Sequence, residues 1–269
     1  DFPYKATVRA SFIEDFPEYK KSFVVLNSII SKKLKTKPLI EVYDQVMGVK
    51  VYQKGKGKPK QTNFEKENDV FVSTLKDEKF NYPYISQGIG RYNYETKNEF
   101  ISYGEWLAEP RKPEYFENSK VIIREIVNPR IYATYISYPA VVKNIAAVII
   151  EKNKDYPLLY LLGLVNSKLF TYYIDEQSAK SSNKSYPSFN SRLLKELPII
   201  QCQNSIKEVL VELAKSMLTQ TDNLKMKIDE IVSFLSSKFQ INEISKKIYS
   251  WHKLDFGEFL KELEKARKK

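Results

Sequence analysis

The feature that most constrains this chain is an apolar stripe near its C-terminal end. Between residues 206 and 235, apolar side chains recur at spacings of three or four, with one polar break at Thr221. This is a heptad pattern, and it predicts one long α-helix whose narrow apolar face needs a partner helix. Ser205 and Glu208 form a capping box that predicts where the helix begins. The stripe consists of Ile206, Leu210, Leu213, Met217, Leu224, Ile228, Ile231 and Leu235.

A second amphipathic segment follows, from Ile241 to Lys269, and supplies a partner within the chain. We interpret residues 204–269 as an antiparallel helical pair that acts as a spacer or docking segment. A helical hairpin core is the simpler interpretation of the stripe, and a dimerising coiled coil is the alternative.

The preceding part of the chain has a different pattern. Short β-branched and aromatic runs, separated by Gly, Pro, Asn and Lys, predict a mainly antiparallel β domain over residues 38–203. The runs are 49–52, 70–72, 121–124, 131–135 and 146–150. Helices are predicted for Phe23–Leu34 in a linker segment 1–37, for Pro157–Tyr173, and as one turn for Ser191–Leu197. The expected fold class is α+β: a twisted, mainly antiparallel β recognition domain with packed helices, followed by the C-terminal antiparallel helical pair.

The charge balance predicts a polyanionic partner. The chain has 44 Lys and Arg against 33 Asp and Glu, a net charge of +11, and nucleic acid is the commonest partner of such a surface. A generally lysine-rich proteome is the alternative explanation. The single cysteine, Cys202, fits a reducing cytoplasm, and no apolar run is long enough for a membrane span.

The most basic short stretch is the candidate for binding DNA phosphates. Lys54, Lys56, Lys58 and Lys60 alternate with Gly55, Gly57 and Pro59 and are followed by Gln61. Glycines allow close approach of the backbone, and lysines supply charge. The spacing is not that of a P-loop, and a solvated hairpin loop is the alternative interpretation.

Two further segments are candidates for DNA contacts. The polar loop at 179–186 contains Lys180, Asn183 and Lys184, and a tight turn places Arg91 beside aromatic residues. A flexible surface loop is the alternative for the former. The six lysines at 54, 56, 58, 60, 180 and 184 are assigned to phosphates. Arginine reads guanine and amides read adenine in the major groove, so the base-edge candidates are Gln61, Arg91, Asn183 and Arg192.

Catalytic signatures are not found in the sequence. Residues Asn81–Tyr84 resemble an Asn-Pro-Pro-Tyr methyltransferase motif, but Tyr82 replaces the first proline and no Gly-rich cofactor turn precedes it. One Cys and one His, His252, do not suffice for a zinc site or a triad. We therefore expect neither catalytic residues nor metal ligands. Acidic–lysine spacings near Glu18 and Glu95 leave a self-contained nuclease as a remote alternative.

The order of several segments resembles the TaqI-like C-terminal specificity domain of N6-adenine DNA methyltransferases and type IIG restriction–modification enzymes. The most specific piece is Leu158–Leu169, which contains Asn166-Ser167-Lys168-Leu169 after a leucine run. The other similar segments are 38–59, 84–92, 111–124 and 194–199, with 251–263 resembling the C-termini of single-chain type IIG proteins.

This resemblance implies sequence-specific recognition of double-stranded DNA for a larger enzyme in the cytoplasm of a bacterium or archaeon. The catalytic parts would lie upstream and would bind S-adenosylmethionine, and no cofactor is implied for this chain. The beginning, Asp1-Phe2-Pro3, has no initiator Met and no basic leader, so we expect an excised fragment. The alternative function is a protein-interaction or scaffold module that uses the heptad helices.

Overall fold

The computed structural model describes residues 35–95, 97–127, 130–171, 173–174, 191–241 and 243–267. They form two compact units that divide between Lys215 and Ser216, inside the longest helix. The helix predicted for Phe23–Leu34 lies outside the described residues, and the domain boundaries at 37/38 and 203/204 stay predictions.

The first unit contains all the named strands. The predicted runs at 121–124 and 146–150 form strands, and those at 70–72 and 131–135 overlap strands in part. In the run at 49–52, Val49 and Lys50 form only isolated bridges. The other six strands fall outside the predicted runs. The strands are β1 (Thr36–Pro38), β2 (Tyr43–Met47), β3 (Val72–Ser73), β4 (Tyr82–Ile85), β5 (Glu99–Ile101), β6 (Lys120–Arg124), β7 (Ala133–Ile136), β8 (Val141–Val142), β9 (Ala146–Glu151) and β10 (Pro198–Ile200).

These strands form two four-stranded sheets and one two-stranded sheet. The first sheet has the order β2-β9-β6-β7 and is antiparallel throughout. The second has the order β3-β5-β4-β8, with a parallel pair only between β4 and β8. Strands β1 and β10 pair antiparallel. The expectation of a mainly antiparallel α+β domain is therefore confirmed.

The first sheet is buried on both faces. Ile122 of β6 lies opposite Val148 of β9, and both belong to a cluster with Ile85 and Val141 of the second sheet. Side chains alternate along a strand, so the neighbouring residue Ile123 faces the opposite side, where a helix packs on β6 and β7. This double burial explains why β6 and β9 read as nearly continuous apolar runs.

The helix on that face is α4, and it is shorter than the sequence predicts. The helices of the first unit are α1 (Leu39–Val42), α2 (Phe64–Glu67), α3 (Glu114–Glu117), α4 (Leu158–Val165), α5 (Ser191–Lys195) and the first part of α6 (Asn204–Phe239). Pro157 is the N-cap of α4, but the helix stops at Val165 rather than at Tyr173, and residues 168–171 start a new helical segment. The interruption falls at Asn166, whose side chain bonds to the sheet, as described below.

The second unit contains the remaining part of α6 and three short helical segments. These are α7 (Lys246–Tyr249), a 3₁₀ turn (Trp251–Lys253) and α8 (Phe256–Arg267). The predicted partner helix is thus interrupted. Its last part restarts at a reciprocal cap, in which the Glu258 N–H donates to Asp255 Oδ1 at 2.8 Å and the Asp255 N–H donates to Glu258 Oε2 at 3.4 Å.

The apolar core of the second unit covers only the end of the heptad stripe. Leu235 is buried with Ile241, Ile248 and Leu263. Earlier positions of the stripe, such as Leu224, remain exposed. Within the described residues, no helix has both the length and the apolarity that crossing a membrane would need.

Lys120 gives this fold a testable dependence on pH. Its side chain is fully buried at the start of β6, where Nζ donates to the Tyr138 carbonyl oxygen at 2.8 Å. Burial lowers the pKa of Lys120 from 10.5 to about 8, because desolvation disfavours the charged amine.

We expect the free energy of unfolding to rise as the pH increases between these two pKa values. In that interval the unfolded chain still holds a proton that the folded protein has released, so higher pH favours the folded state. Lys120→Met should abolish this component, and Lys112→Met, at an exposed lysine, should retain it. Urea unfolding at several pH values measures the difference between the variants. Equal pH dependence of the wild type and Lys120→Met would contradict the assignment.

Candidate nucleic-acid interface

The basic stretch forms an ordered loop around one glutamine. We call residues Gln53–Gln61 the lysine loop. The Gln61 side chain is buried, and its amide nitrogen donates to the carbonyl oxygens of Val51 at 2.9 Å and Trp106 at 2.7 Å. Its amide oxygen accepts from the Gln53 N–H at 2.8 Å. One side chain therefore joins both ends of the loop to the neighbouring segment.

Backbone contacts close the same loop. The Gly55 N–H donates to Gln61 O at 2.8 Å, and the Gln61 N–H donates to Lys56 O at 2.7 Å. Gly57 has a φ of +85°, and a Cβ atom there would lie 2.3 Å from the Trp106 carbonyl oxygen. A larger residue at Gly57 would force the loop away from this segment.

The four lysines of the loop point away from this framework. Lys54, Lys56, Lys58 and Lys60 are all exposed. Lys58 lies 3.4 Å from Glu105, a contact between two highly exposed side chains, and such surface pairs contribute little to stability. The loop thus concentrates four cationic groups on a backbone that internal hydrogen bonds hold in place, which is a suitable arrangement for a polyanion.

The structure changes the interpretation of Gln61. A base-edge contact requires an accessible amide, but both polar atoms of this amide are engaged with buried or partly buried backbone groups. In this conformation the Gln61 amide is not accessible to a base edge, and the base-reading role of Gln61 stays a prediction. The sequence gives no indication of this burial, because a glutamine in a Lys- and Gly-rich segment looks like an ordinary exposed residue.

Arg91 lies in a different hairpin, where Ile89 and Tyr94 form an isolated bridge. Its Nε and Nη2 atoms donate to the Asn166 carbonyl oxygen at 3.3 and 3.2 Å, and its guanidinium lies 5.1 Å from the Tyr92 ring centroid. Tyr92 has a φ of +62°. Since a guanidinium has five N–H donors, the remaining donors are the ones that a base edge or phosphate would use.

Asn166 is the residue that sequence reasoning missed at this site. Its amide nitrogen donates to Ala133 O at 2.9 Å, and its amide oxygen accepts from the Ala133 N–H at 3.1 Å. It therefore pairs with the edge strand β7 like a neighbouring strand, while its own carbonyl holds Arg91. The available signal was an Asn directly after a leucine-rich helix, where asparagine favours helix termination.

The remaining candidate residues do not join these two places. Arg192 is exposed on α5 and lies 3.0 Å from Glu196, one helical turn away. Lys180, Asn183 and Lys184 lie outside the described residues. Among the described residues, no hydrogen bond or ion pair connects the lysine loop, Arg91 and Arg192 with one another.

Within the part of the chain that the structure describes, no cluster of three or more His, Cys, Asp or Glu side chains has the proximity that a metal ion requires.

Gln61 provides a test of the loop architecture. We expect Gln61→Ala to lower the free energy of unfolding by about 1–3 kcal/mol, because the Gln53 N–H and the Trp106 carbonyl oxygen lose the partner that Gln61 provides. Gln61→Glu should destabilise similarly, since it directs a carboxylate at the carbonyl oxygens of Val51 and Trp106. Lys60→Ala, at the adjacent exposed position, is the matched control and should have no effect. Urea unfolding measures all three, and a neutral Gln61→Ala would restore the base-reading interpretation.

Two family models match separate parts of this chain. Residues 82–199 match the family model described as TaqI-like C-terminal specificity domain, and residues 203–269 match a Domain of unknown function (DUF8810). A protein of Methanocaldococcus jannaschii named as a type II restriction enzyme and methyltransferase is 30% identical over 161 residues. The match covers 56% of this chain and 13% of that relative, so the chain spans a small part of the relative's length.

Two solved structures from restriction–modification systems show a partial likeness to the fold of this chain. The type IIG restriction endonuclease BpuSI matches 74% of this chain and 28% of its own, at 11% identity and a TM-score of 0.48. The HsdS subunit from Thermoanaerobacter tengcongensis matches 83% of this chain and 50% of its own, at 12% identity and a TM-score of 0.41. Residues 82–199 of this chain are thus similar to the TaqI-like C-terminal specificity domain.

Proposed function

We propose that this chain recognises a specific sequence in double-stranded DNA as the specificity module of a restriction–modification enzyme. The observation that carries the proposal is the lysine loop, which presents four exposed lysines on an internally bonded backbone beside a region similar to the TaqI-like C-terminal specificity domain. The net charge of +11 supports the same partner, because phosphate neutralisation dominates the affinity of proteins for DNA.

In this proposal the lysine loop contacts the phosphate backbone and fixes the orientation of the domain. Phosphate contacts position a protein, whereas base edges specify the sequence. The exposed pair between Lys58 and Glu105 costs little to break, so a phosphate oxygen could replace the carboxylate. Lys180 and Lys184 belong to the proposed phosphate contacts on the basis of sequence alone.

Base reading is proposed for arginine and asparagine. Arg91 is held by Asn166 and Tyr92, which would orient the donors that remain toward a guanine. Arg192 is exposed, and its ion pair with Glu196 lies at the surface, so a base edge could displace it at small cost. Asn183 stays a proposed adenine reader from the sequence.

The enzymatic activity is proposed for the parent protein and not for this chain. The relative from M. jannaschii is named as a restriction enzyme and methyltransferase, which supports methyltransferase and endonuclease activity for the parent protein. Adenine as the methylated base and the binding of S-adenosylmethionine by an upstream domain are further parts of the proposal. No catalytic role is proposed for residues of this chain.

We further propose that the C-terminal helical unit docks on those catalytic domains. Leu224, Met226, Ile231 and Phe234 of α6 are exposed apolar residues, and exposed apolar groups of this kind are typical of protein interfaces. Deletion of residues 216–269 should then abolish association with the catalytic domains supplied as a separate chain. Unchanged co-purification after the deletion would contradict this docking role.

The phosphate role of the lysine loop predicts a salt effect. Single Lys→Ala changes at 54, 56, 58 or 60 should weaken binding to all duplexes alike and reduce the slope of log affinity against log salt concentration by about 0.9. Lys261→Ala, an exposed lysine of α8, is the matched control and should leave the slope unchanged. Fluorescence anisotropy with one labelled duplex at several salt concentrations measures the slope, and an unchanged slope in every loop variant would remove the loop from the interface.

The recognition function is tested by selection from a random duplex library. We expect enrichment of one short motif containing adenine, with retention that falls steeply between about 50 and 200 mM salt. The wild-type chain and a variant lacking all four loop lysines form the matched pair. Absence of retention for the wild type at both salt concentrations would contradict DNA binding by this chain.

A further inference from the structure

Phe64 is an aromatic side chain that the fold does not use. It begins α2, a helix with no buried residues, and 63% of its surface is exposed. A large aromatic side chain usually contributes to a core, so its position on the surface requires another explanation. It lies three residues beyond Gln61, directly after the lysine loop.

The backbone at Phe64 is held firmly although the ring is not packed. The Phe64 N–H donates to Thr62 Oγ1 at 3.2 Å. Its carbonyl oxygen accepts from the Asn68 N–H at 3.0 Å and from Asn68 Nδ2 at 2.8 Å. The fold therefore fixes where the ring emerges and leaves its faces accessible.

Two hydrogen bonds from Thr62 to Glu65 stabilise the same turn. The Thr62 N–H and the Thr62 hydroxyl both donate to Glu65 Oε2 at 2.8 Å, and the hydroxyl donation lowers the pKa of Glu65. The arrangement keeps α2 attached to the end of the lysine loop, next to the buried Gln61.

The position of Phe64 matches the geometry of a DNA groove. Three residues span at most about 11 Å between the Cα atoms of Gln61 and Phe64. The minor groove is about 6 Å wide and the major groove about 12 Å, so lysines at the phosphates and a ring at the base step beside them are within reach of one duplex segment from either groove. Exposed Leu75 is also apolar, but it lies beyond β3 and has no π-face for stacking.

We propose that Phe64 stacks on a nucleobase at a base step adjacent to the phosphates bound by the lysine loop. The inference rests on the proposed DNA-binding function, and it adds Phe64 as a contact residue and a nucleobase as its ligand. Apolar side chains such as Phe unstack base steps and kink the duplex. Pyrimidine–purine steps deform most easily, so Phe64 selects such a step without a hydrogen bond to a base edge.

The decisive experiment compares Phe64→Ala with Leu75→Ala, the latter at a position that is 75% exposed. We expect Phe64→Ala to weaken duplex binding about 10-fold or more without changing the salt slope, because no charge is lost. Leu75→Ala should bind like the wild type. Phe64→Trp, which retains a stacking face, should keep most of the affinity.

The structural consequence is measured with 2-aminopurine placed at successive positions of the selected site. An unstacked step should raise its fluorescence in the wild-type complex and not in the Phe64→Ala complex. Thermal unfolding of each variant, expected to be unchanged because the ring is exposed, separates binding from folding.

The outcomes distinguish this inference from the function on which it rests. Salt-sensitive binding by the wild type together with full affinity of Phe64→Ala overturns the stacking role and leaves DNA recognition intact. Equal losses for Phe64→Ala and Leu75→Ala overturn it as well, since they indicate a general apolar effect. If the wild type binds no duplex at any salt concentration, the proposed function fails first and the stacking role fails with it.

Discussion

The pairing of β6 with β9 is the contact on which the first unit depends. These strands form the centre of the four-stranded sheet, between β2 and β7. Ile122 and Val148 close the core against the second sheet, while α4 covers the opposite face. Because Val121–Ile123 and Ala146–Ile150 are buried on both faces of the sheet, a shift of register by one residue would still bury apolar groups. The flanking polar contacts therefore gain importance for the register.

Two buried amides supply such contacts. Asn166 ends α4 and pairs with Ala133 at the edge of the first sheet, which fixes the helix against β7. Gln61 joins the lysine loop to Val51 and Trp106. Both side chains bond to backbone groups of other segments, and a buried backbone group left without a partner is costly. Arg91 donates to the backbone carbonyl oxygen of Asn166, and the Gln61 side-chain amide holds the lysine loop. Each cationic segment is therefore attached to the core through an uncharged group.

The proposed DNA contacts follow from this division of roles. In this proposal the core supplies no charged group to the interface. It determines only where the loops leave the core. Charge on flexible lysine side chains provides affinity that depends on salt, and a fixed backbone provides register. Phe64 would add a contact of a third kind, because stacking depends on the deformability of a base step and not on charge. A recognition surface assembled from these parts can change its target sequence through loop residues while the sheets stay the same.

Elements with a strong local signal could be predicted from the amino-acid sequence alone. The runs at 121–124 and 146–150 form β6 and β9, Pro157 is the N-cap of α4, and the segment with heptad spacing forms the long helix α6. In each of these, periodicity or backbone chemistry acts within a few residues. The exposure of the four loop lysines was also predictable from the sequence, since lysine side chains are rarely buried. It could not show that Gln61 is internal, that Asn166 divides the helix predicted through Tyr173, or that Leu224 stays uncovered. Those outcomes depend on which distant segments meet, because a hydrogen bond to Trp106 or Ala133 and the extent of a partner helix are set by tertiary packing and not by local spacing.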